Sequence, residues 1–256
     1  MNRVPPRVSI IMLTYNRAAF IAAALKSVQA QSYQNWELII LDDGSTDNTE
    51  AIVAPYLQDA RFRYIKDSTN QGLYARRRES LSHASGEYIA ILDSDDYWTD
   101  AEKLMEQVTY LTKHPSCVVL GTFITLVDTG GTVIGKNSYH TDDASIRRAL
   151  LWRNQFANSS VVMRRSALLK TTGYQNYAPC EDYELFLQLG HHGTFGNLPS
   201  YSLAYRVHES GESARKVKVA KQSLRAITRH RAHYPGYLAA TAKLLLLYLL
   251  ATLRIK

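Results

Sequence analysis

The first part of the chain alternates short, nearly all-apolar runs with segments whose apolar positions recur at helical spacing. Val8-Ser9-Ile10-Ile11-Met12-Leu13 is almost wholly apolar, the mark of a strand covered on both faces. Beyond the polar break Thr14-Tyr15-Asn16-Arg17, Ile21, Leu25 and Val28 return on one helical face. A second buried run covers Trp36 to Leu41 and stops at Asp42-Asp43-Gly44. Asp47 followed by Glu50 has the spacing of a capping box that opens a helix. Arg61 to Ile65 reads as a third strand, Leu73 to Leu81 as a helix and Tyr88 to Leu92 as a fourth strand. This alternation predicts a parallel sheet with helices on both faces. In such sheets ligands bind beyond the carboxyl ends of the strands. Thr14-Tyr15, Asp42-Asp43 and Asp93-Ser94-Asp95-Asp96 each follow a predicted strand, so one crevice could gather all three.

The second half is less regular. Phe123 to Val127 and Thr132 to Ile134 flank Asp128-Thr129-Gly130-Gly131 and predict a hairpin. Val161 to Met163 and Leu203 to Val207 read as strands, and Glu181 to Leu189 as a short helix. No internal repeat or low-complexity stretch is evident.

With 46% hydrophobic and 21% charged residues over 256 positions, the chain is long enough to bury a substantial core without cross-links. Cys117 and Cys180 show no CxxC spacing, which excludes a disulfide framework and a cysteine-rich zinc site. A reducing compartment follows. The polar, proline-bearing start does not resemble a signal peptide, so a cytoplasmic location is expected. The net charge of +7 is unevenly distributed. Residues 1–213 hold all 23 acids and slightly fewer basic residues, whereas 214–256 hold 10 Lys and Arg and no acid. Any attraction to a polyanion therefore belongs to the tail, and no nucleic-acid partner is expected for the body.

That tail has two parts. Val217, Ala220, Leu224 and Ile227 share one helical face, while Lys218, Lys221, Arg225 and Arg229 share another. A basic amphipathic helix of this kind suits an anionic membrane surface. After Tyr234-Pro235-Gly236, an apolar segment runs from Leu238 to Leu253. At about 1.5 Å per residue it covers about 24 Å, short of the roughly 30 Å hydrocarbon core. The segment is expected to lie on or partly in a membrane, or else to pack against protein.

The acidic run Asp93-Ser94-Asp95-Asp96 is the strongest chemical signal. Its carboxylates repel each other unless a cation, solvent or hydrogen bonds offset the charge. At the end of a buried strand they suit Mg2+ or Mn2+ shared with two phosphates; a helix-opening acidic loop is the bland alternative. Asp43 can accept from a pyrimidine N3–H or from ribose hydroxyls, or simply form an Asp-Gly turn. Arg76, after Asn70-Gln71-Gly72, could set a guanidinium against a base or phosphate, whereas Arg77 and Arg78 read as a solvated helix face. The histidines, including His191 and His192, have no metal spacing to one another, and Asn158-Ser159-Ser160 fits a glycosylation sequon of no expected consequence.

Val8-Ser9-Ile10-Ile11 through Thr14-Tyr15-Asn16, Asp42-Asp43-Gly44-Ser45-Thr46-Asp47, Asn70-Gln71-Gly72 and Gly86-Glu87-Tyr88-Ile89 through Asp93-Ser94-Asp95-Asp96 occur in order. Together they closely resemble family 2 glycosyltransferases with the GT-A fold. Glu181-Asp182-Tyr183-Glu184-Leu185 is similar to the family's acidic catalytic motif, and Tyr205-Arg206-Val207-His208 to its late histidine segment. The resemblance covers about residues 8–210. It implies an α/β GT-A (nucleotide-diphospho-sugar transferase) fold, with a Rossmann-like, mainly parallel central sheet flanked by helices. Residues 1–210 would form the catalytic domain, with about 1–110 as the nucleotide-sugar half and 111–210 as the acceptor half, and 211–256 a helical tail.

Carried over by residue, the resemblance implies that Thr14, Tyr15 and Asp43 line the base pocket with Arg76 beside them. Asp93, Ser94 and Asp95 would hold the nucleotide sugar, Asp93 near the ribose and Asp95 on the metal. His208 would join the diphosphate-metal site, and Asp182 would be the general base. The implied activity is inverting transfer from a UDP- or dTDP-sugar to the hydroxyl of a glycan or lipid-linked acceptor, in surface polysaccharide, lipopolysaccharide or other glycan synthesis. Mg2+ or Mn2+ is the implied cofactor, and the enzyme would sit in the cytoplasm, peripheral on the inner face of the membrane. A non-catalytic nucleotide-sugar or glycan-binding module is the alternative. A nucleotidyltransferase would carry a Gly-rich, Arg-bearing opening loop where this chain has Thr14-Tyr15-Asn16.

Overall fold

The computed structural model describes residues 6–208 and 216–253. The strands are β1 (Val8–Thr14), β2 (Trp36–Asp42), β3 (Phe62–Lys66), β4 (Tyr88–Ile91), β5 (Tyr97–Trp98), β6 (Cys117–Val127), β7 (Val133–Asn137), β8 (Val162–Arg164) and β9 (Thr194–Arg206). The helices are α1 (Ile21–Gln29), α2 (Thr49–Val53), α3 (Leu73–Ser80), α4 (Lys103–Lys113), α5 (Asp143–Leu150), α6 (Arg165–Leu168), α7 (Glu181–Leu189), α8 (Lys216–His230) and α9 (Tyr237–Leu253).

All the strands join one sheet in the order β3-β2-β1-β4-β8-β6-β9-β5, with β7 on the side of β6. The first four are parallel, and Thr14 pairs with Asp42 at the ends of β1 and β2. The second half mixes directions: β8 runs antiparallel to both β4 and β6, while β6 and β9 run parallel. β8 therefore begins where β4 ends.

Side chains alternate across the sheet, as strand geometry requires. Ile11, Leu13, Ile39, Leu41, Ile89 and Ile91 face a core shared with α5, α7 and the tail. Ile10, Met12, Leu38, Ile40, Ala90 and Leu92 face a core shared with α1 and α4. Both faces are covered, which is why the strand runs are continuously apolar.

The expected capping box does not form. Asn48 precedes α2, and Asp47 instead accepts from the backbone N–H of Thr49 and of Ala18. Glu50 turns away to bond Lys66 Nζ at 2.6 Å. Asp47 thus ties the loop after β1 to the loop after β2, a tertiary task that overrides local capping. The predicted hairpin is present, with Asp128 N bonded to Thr132 O at 2.9 Å, although β6 starts six residues before Phe123 and β9 begins at Thr194.

The basic helix α8 packs its apolar face on the body: Ala220, Ala226 and Ile227 are buried. Its C-terminal end is clamped to α7 by His230 Nε2 to Glu184 Oε1 at 3.1 Å and, just beyond it, Tyr234 OH to Leu187 O at 2.8 Å. Lys216, Lys218, Lys221, Arg225 and Arg229 face solvent. α9 buries Ala240 and Leu244 but exposes Leu238, Leu245, Leu246, Leu247, Leu249 and Leu250. Among the described residues, no helix is long and apolar enough to cross a membrane.

Candidate active site

The loops beyond β1, β2 and β4, together with the start of β8, meet at one end of the sheet. Asn16 takes a left-handed φ of 51°, which asparagine tolerates better than most residues. Its Oδ1 accepts from Thr46 N at 2.9 Å, and its own N–H reaches Ser45 Oγ at 2.9 Å. Gly44 has φ 76° and lies so close to the Thr69 backbone that a Cβ would sit 2.8 Å from its carbonyl carbon. Only glycine fits there.

Asp43 is buried at this junction. Its carboxylate accepts from Gln71 N at 2.7 Å, Gly72 N at 2.8 Å and Arg76 Nε at 3.2 Å, so it shapes the Gln71-Gly72 loop. Arg76 is buried too, ion-paired to Asp43, Asp67 and Glu79. It reaches the pocket through Asp43. Thr14 is buried, and its Oγ1 has no hydrogen-bond partner among the described residues. Tyr15, beside it, is exposed.

The acidic run is held from several directions. Asp93 Oδ1 accepts from Arg77 Nη2 at 2.9 Å and Oδ2 from Asn158 Nδ2 at 2.9 Å. Ser94 is buried. Asp96 is buried, accepting from Ser159 Oγ and, at 2.8 Å, from Arg206 N. Burial, with Asp95 and Asp93 nearby, pushes the Asp96 carboxyl well above the usual carboxylate range. Asp95, like Asp93, is only partly buried. Its Oδ2 lies 3.0 Å from His208 Nε2 and 3.4 Å from Arg17 Nε, and Arg206 Nε donates to its backbone oxygen at 2.9 Å. His208 stacks on Phe20 with centroids 5.9 Å apart.

Helix α7 joins this group through Arg77, which corrects the expectation of a solvated face. Arg77 is buried between Asp93 and Glu181, with Nε 3.5 Å from Glu181 Oε1. Burial opposes its charge, yet Asp93, Tyr174, Glu181 and Asp182 together hold it more firmly protonated than usual. Asp182 stands next in the first turn of α7. Its carboxyl is pushed up to about 7, chiefly by burial and by Glu181, with Asp93 adding and Arg77 opposing. Asp182 also lines a cavity together with Trp152, Arg153 and Tyr183.

Asp95 and His208 are therefore in contact, Asp93 is joined through Arg77 to Glu181, Asp182 lies within electrostatic reach of Arg77 and Asp93, and Asp43, Thr14 and Tyr15 stand at the neighbouring strand ends. Arg17, Arg77, Asn158, Ser159 and Arg206 contact this group as well, although the sequence offers no site role for any of them. Asn158-Ser159-Ser160, read there as a sequon, is a buried turn that fixes the acidic loop. Among the described residues, no three His, Cys, Asp or Glu side chains are placed to hold a metal.

Residues 9–173 match the model of glycosyl transferase family 2. The chain belongs to that family. This glycosyltransferase is 33% identical over 216 residues to EpsE of Bacillus subtilis, covering 82% of this chain and 76% of that one. It is 31% identical over 217 residues to the Escherichia coli UDP-Glc:alpha-D-GlcNAc-diphosphoundecaprenol beta-1,3-glucosyltransferase WfgD, covering 84% and 83%. Its fold matches that of S. aureus TarS 1–349, solved with UDP-GlcNAc, with a TM-score of 0.72 at 20% identity over 95% of this chain and 71% of that one. The Pyrobaculum calidifontis mannosyltransferase PcManGT, solved with GDP-Man and Mn2+, gives 0.71 at 19% identity over 94% and 70%. The GT-A fold expected for the glycosyltransferase is thus the fold observed.

Proposed function

We propose that this glycosyltransferase moves a sugar, with inversion, from a UDP- or dTDP-sugar to an acceptor hydroxyl in surface polysaccharide, lipopolysaccharide or another glycan. The observation that carries this reading is the pairing of Asp95 with His208 beside Asp93, with Asp182 within electrostatic reach. Thr14, Tyr15 and Asp43, with Arg76 behind Asp43, are assigned to the base, and Asp93 and Ser94 to the sugar-nucleotide.

A carboxylate and an imidazole in contact suit a divalent cation whose remaining ligands are phosphate oxygens and water. Asp95 and His208 would hold Mg2+ or Mn2+, consistent with the Mn2+ named for PcManGT. A metal held there would supply positive charge against the departing diphosphate. Asp182 then takes the proton from the acceptor hydroxyl, a weak nucleophile until a positioned base acts on it. A carboxyl titrating at about 7 is matched to that task near neutral pH.

WfgD is named for a UDP-Glc donor and a lipid-diphosphate acceptor, which supports a lipid-linked acceptor here. The outward basic face of α8 and the exposed leucines of α9 support peripheral contact with an anionic inner membrane face. A panel of nucleotide sugars tested for protection against thermal unfolding, with and without Mn2+, identifies the donor. Protection by a UDP- or dTDP-sugar that needs Mn2+, and release of nucleoside diphosphate on turnover, are expected. Protection indifferent to the cation, or release of pyrophosphate, would refute the reading.

A further inference from the structure

A second cavity, of about 260 Å³, lies at the far end of α7 from Asp182. Lys170, just after α6, lines it from the body, together with Gln188, His191 and His192 from the end of α7 and the turn beyond. Arg229 and His230, at the end of α8, line it from the tail. The volume is close to the lower limit of small-ligand sites, about 300 Å³.

The walls of this cavity hold two permanent cations and three imidazoles but no carboxylate. Glu184, behind His230, is fully buried and already engaged by Gln188 Nε2 at 2.6 Å and His230 Nε2 at 3.1 Å. Arg229 Nε stays 3.8 Å from it, with half of that side chain exposed. Lys170 is exposed and has no ion pair among the described residues. Burial, then the neighbouring imidazoles and Arg147, keep His191 neutral at pH 7, so the charge comes from Lys170 and Arg229. His191 Nε2 and His230 Nδ1 stand 3.2 Å apart, but among the described residues no third ligand joins them, and the two cations oppose a metal ion. Cations flanked by ring N–H donors favour an oxyanion instead.

We propose that this cavity binds the phosphate group of a phosphomonoester or phosphodiester, bridging the body and the tail. Lys170 and Arg229 hold its charge, and His191 and His192 offer N–H donors. A phosphate held by both cations fastens the end of α8 to the segment after α6. Asp182 and Gln188 are six positions apart on α7, about 9 Å along its axis. The phosphate site therefore lies outside the residues assigned to the sugar nucleotide, and the two are separately measurable.

Inorganic phosphate titrated into the full chain without a divalent cation tests the site, read from the imidazole signals of His191 and His192 by NMR. Saturable shifts are expected, and Lys170→Gln and Arg229→Gln should each weaken binding about tenfold. Lys221→Gln, on the same basic face of α8 but outside the cavity, should keep the wild-type affinity. The phosphate-free imidazole spectra of the variants show that they are folded. Vesicles of phosphatidylglycerol and of phosphatidylcholine distinguish the source of the phosphate. A headgroup is the ligand if the double variant Lys170→Gln/Arg229→Gln loses binding to the anionic vesicles and glycerol 3-phosphate competes for them. A soluble phosphate ester is the ligand if vesicle binding is unchanged while phosphate affinity falls. Shifts that never saturate, equal phosphate affinity in wild type and double variant, or as large a loss in Lys221→Gln as in Arg229→Gln would overturn the proposal.

Discussion

His208 Nε2 lies 3.0 Å from Asp95 Oδ2 although 113 positions separate the two residues. The sheet makes this contact: β9 delivers Arg206 beside the acidic loop, and Arg206 bonds Asp95 O, Asp128 O and Thr129 O. Two residues later His208 meets the Asp95 carboxylate. Asp95→Ala is expected to lower transfer by about 10²–10³-fold or more, even at saturating donor. His208→Ala should weaken Mn2+-dependent donor protection while leaving the unliganded melting temperature near wild type. Cation-independent transfer by Asp95→Ala would remove both residues from the metal site.

Arg77 is the electrostatic joint between the two halves. It is buried between Asp93 and Glu181, and taking it away leaves two carboxylates without their cation. Losing one partner of a buried pair costs about 3–5 kcal/mol. Arg77→Met, close in length and uncharged, is expected to lower stability by that order in urea unfolding. A loss below about 1 kcal/mol, the range of exposed pairs, would show that the carboxylates find other partners or protonate.

The parallel half of the fold was legible because its strands are covered on both faces and so read as unbroken apolar runs. The motifs after those strands were legible for the same reason, since they mark where buried backbone ends. Arg77 was not. Within Arg76-Arg77-Arg78 it has the composition of a solvated face, and only the arrival of Asp93 and Glu181 from distant segments buries it. Asn158 and Ser159 likewise carry no local sign of their task. α4 did leave a signal, with Leu104, Val108 and Leu111 all buried at helical spacing. For α8 the pattern gave the apolar face but not what that face packs on, which is α7 and α9.

The docking of α8 depends on a histidine cluster at its end. His191 Nε2 lies 3.2 Å from His230 Nδ1, and the His191 ring stacks on His233 at 3.7 Å. Burial first, then His233, His230, His192 and Arg147, lowers the His191 pKa from 6.5 to about 4. The folded state therefore binds this proton more weakly than the unfolded chain. The associated stability is fully present above about pH 6.5 and is lost as pH falls towards 4. Glu184 faces the same cluster through His230 and Arg229. The melting temperature should fall across that window, with α8 amides losing hydrogen-exchange protection before the β1 and β2 amides. His191→Gln, which cannot charge, should flatten the fall. A slope unchanged in that variant would assign the acid sensitivity to other groups.

Asp182 makes opposite demands on activity and stability, and the sign of each can be worked out. Its carboxyl titrates at about 7, against 3.8 for an ordinary aspartate. As a base it must be ionised, so kcat/KM is expected to rise with pH through about 7 and level off above. For stability the direction reverses. A folded pKa above the unfolded one means the native state favours the proton. Stability from this group is present below about pH 4 and disappears as pH rises through about 7. Asp182→Asn removes the charge for good, so it should abolish transfer and yet melt higher than wild type at pH 8. Near pH 5 the gap should narrow, because wild-type Asp182 is then mostly protonated. Transfer lost with no gain in stability at pH 8 would mean that the native carboxylate is not strained by its burial. The rise of activity through pH 7 would then have to come from another group.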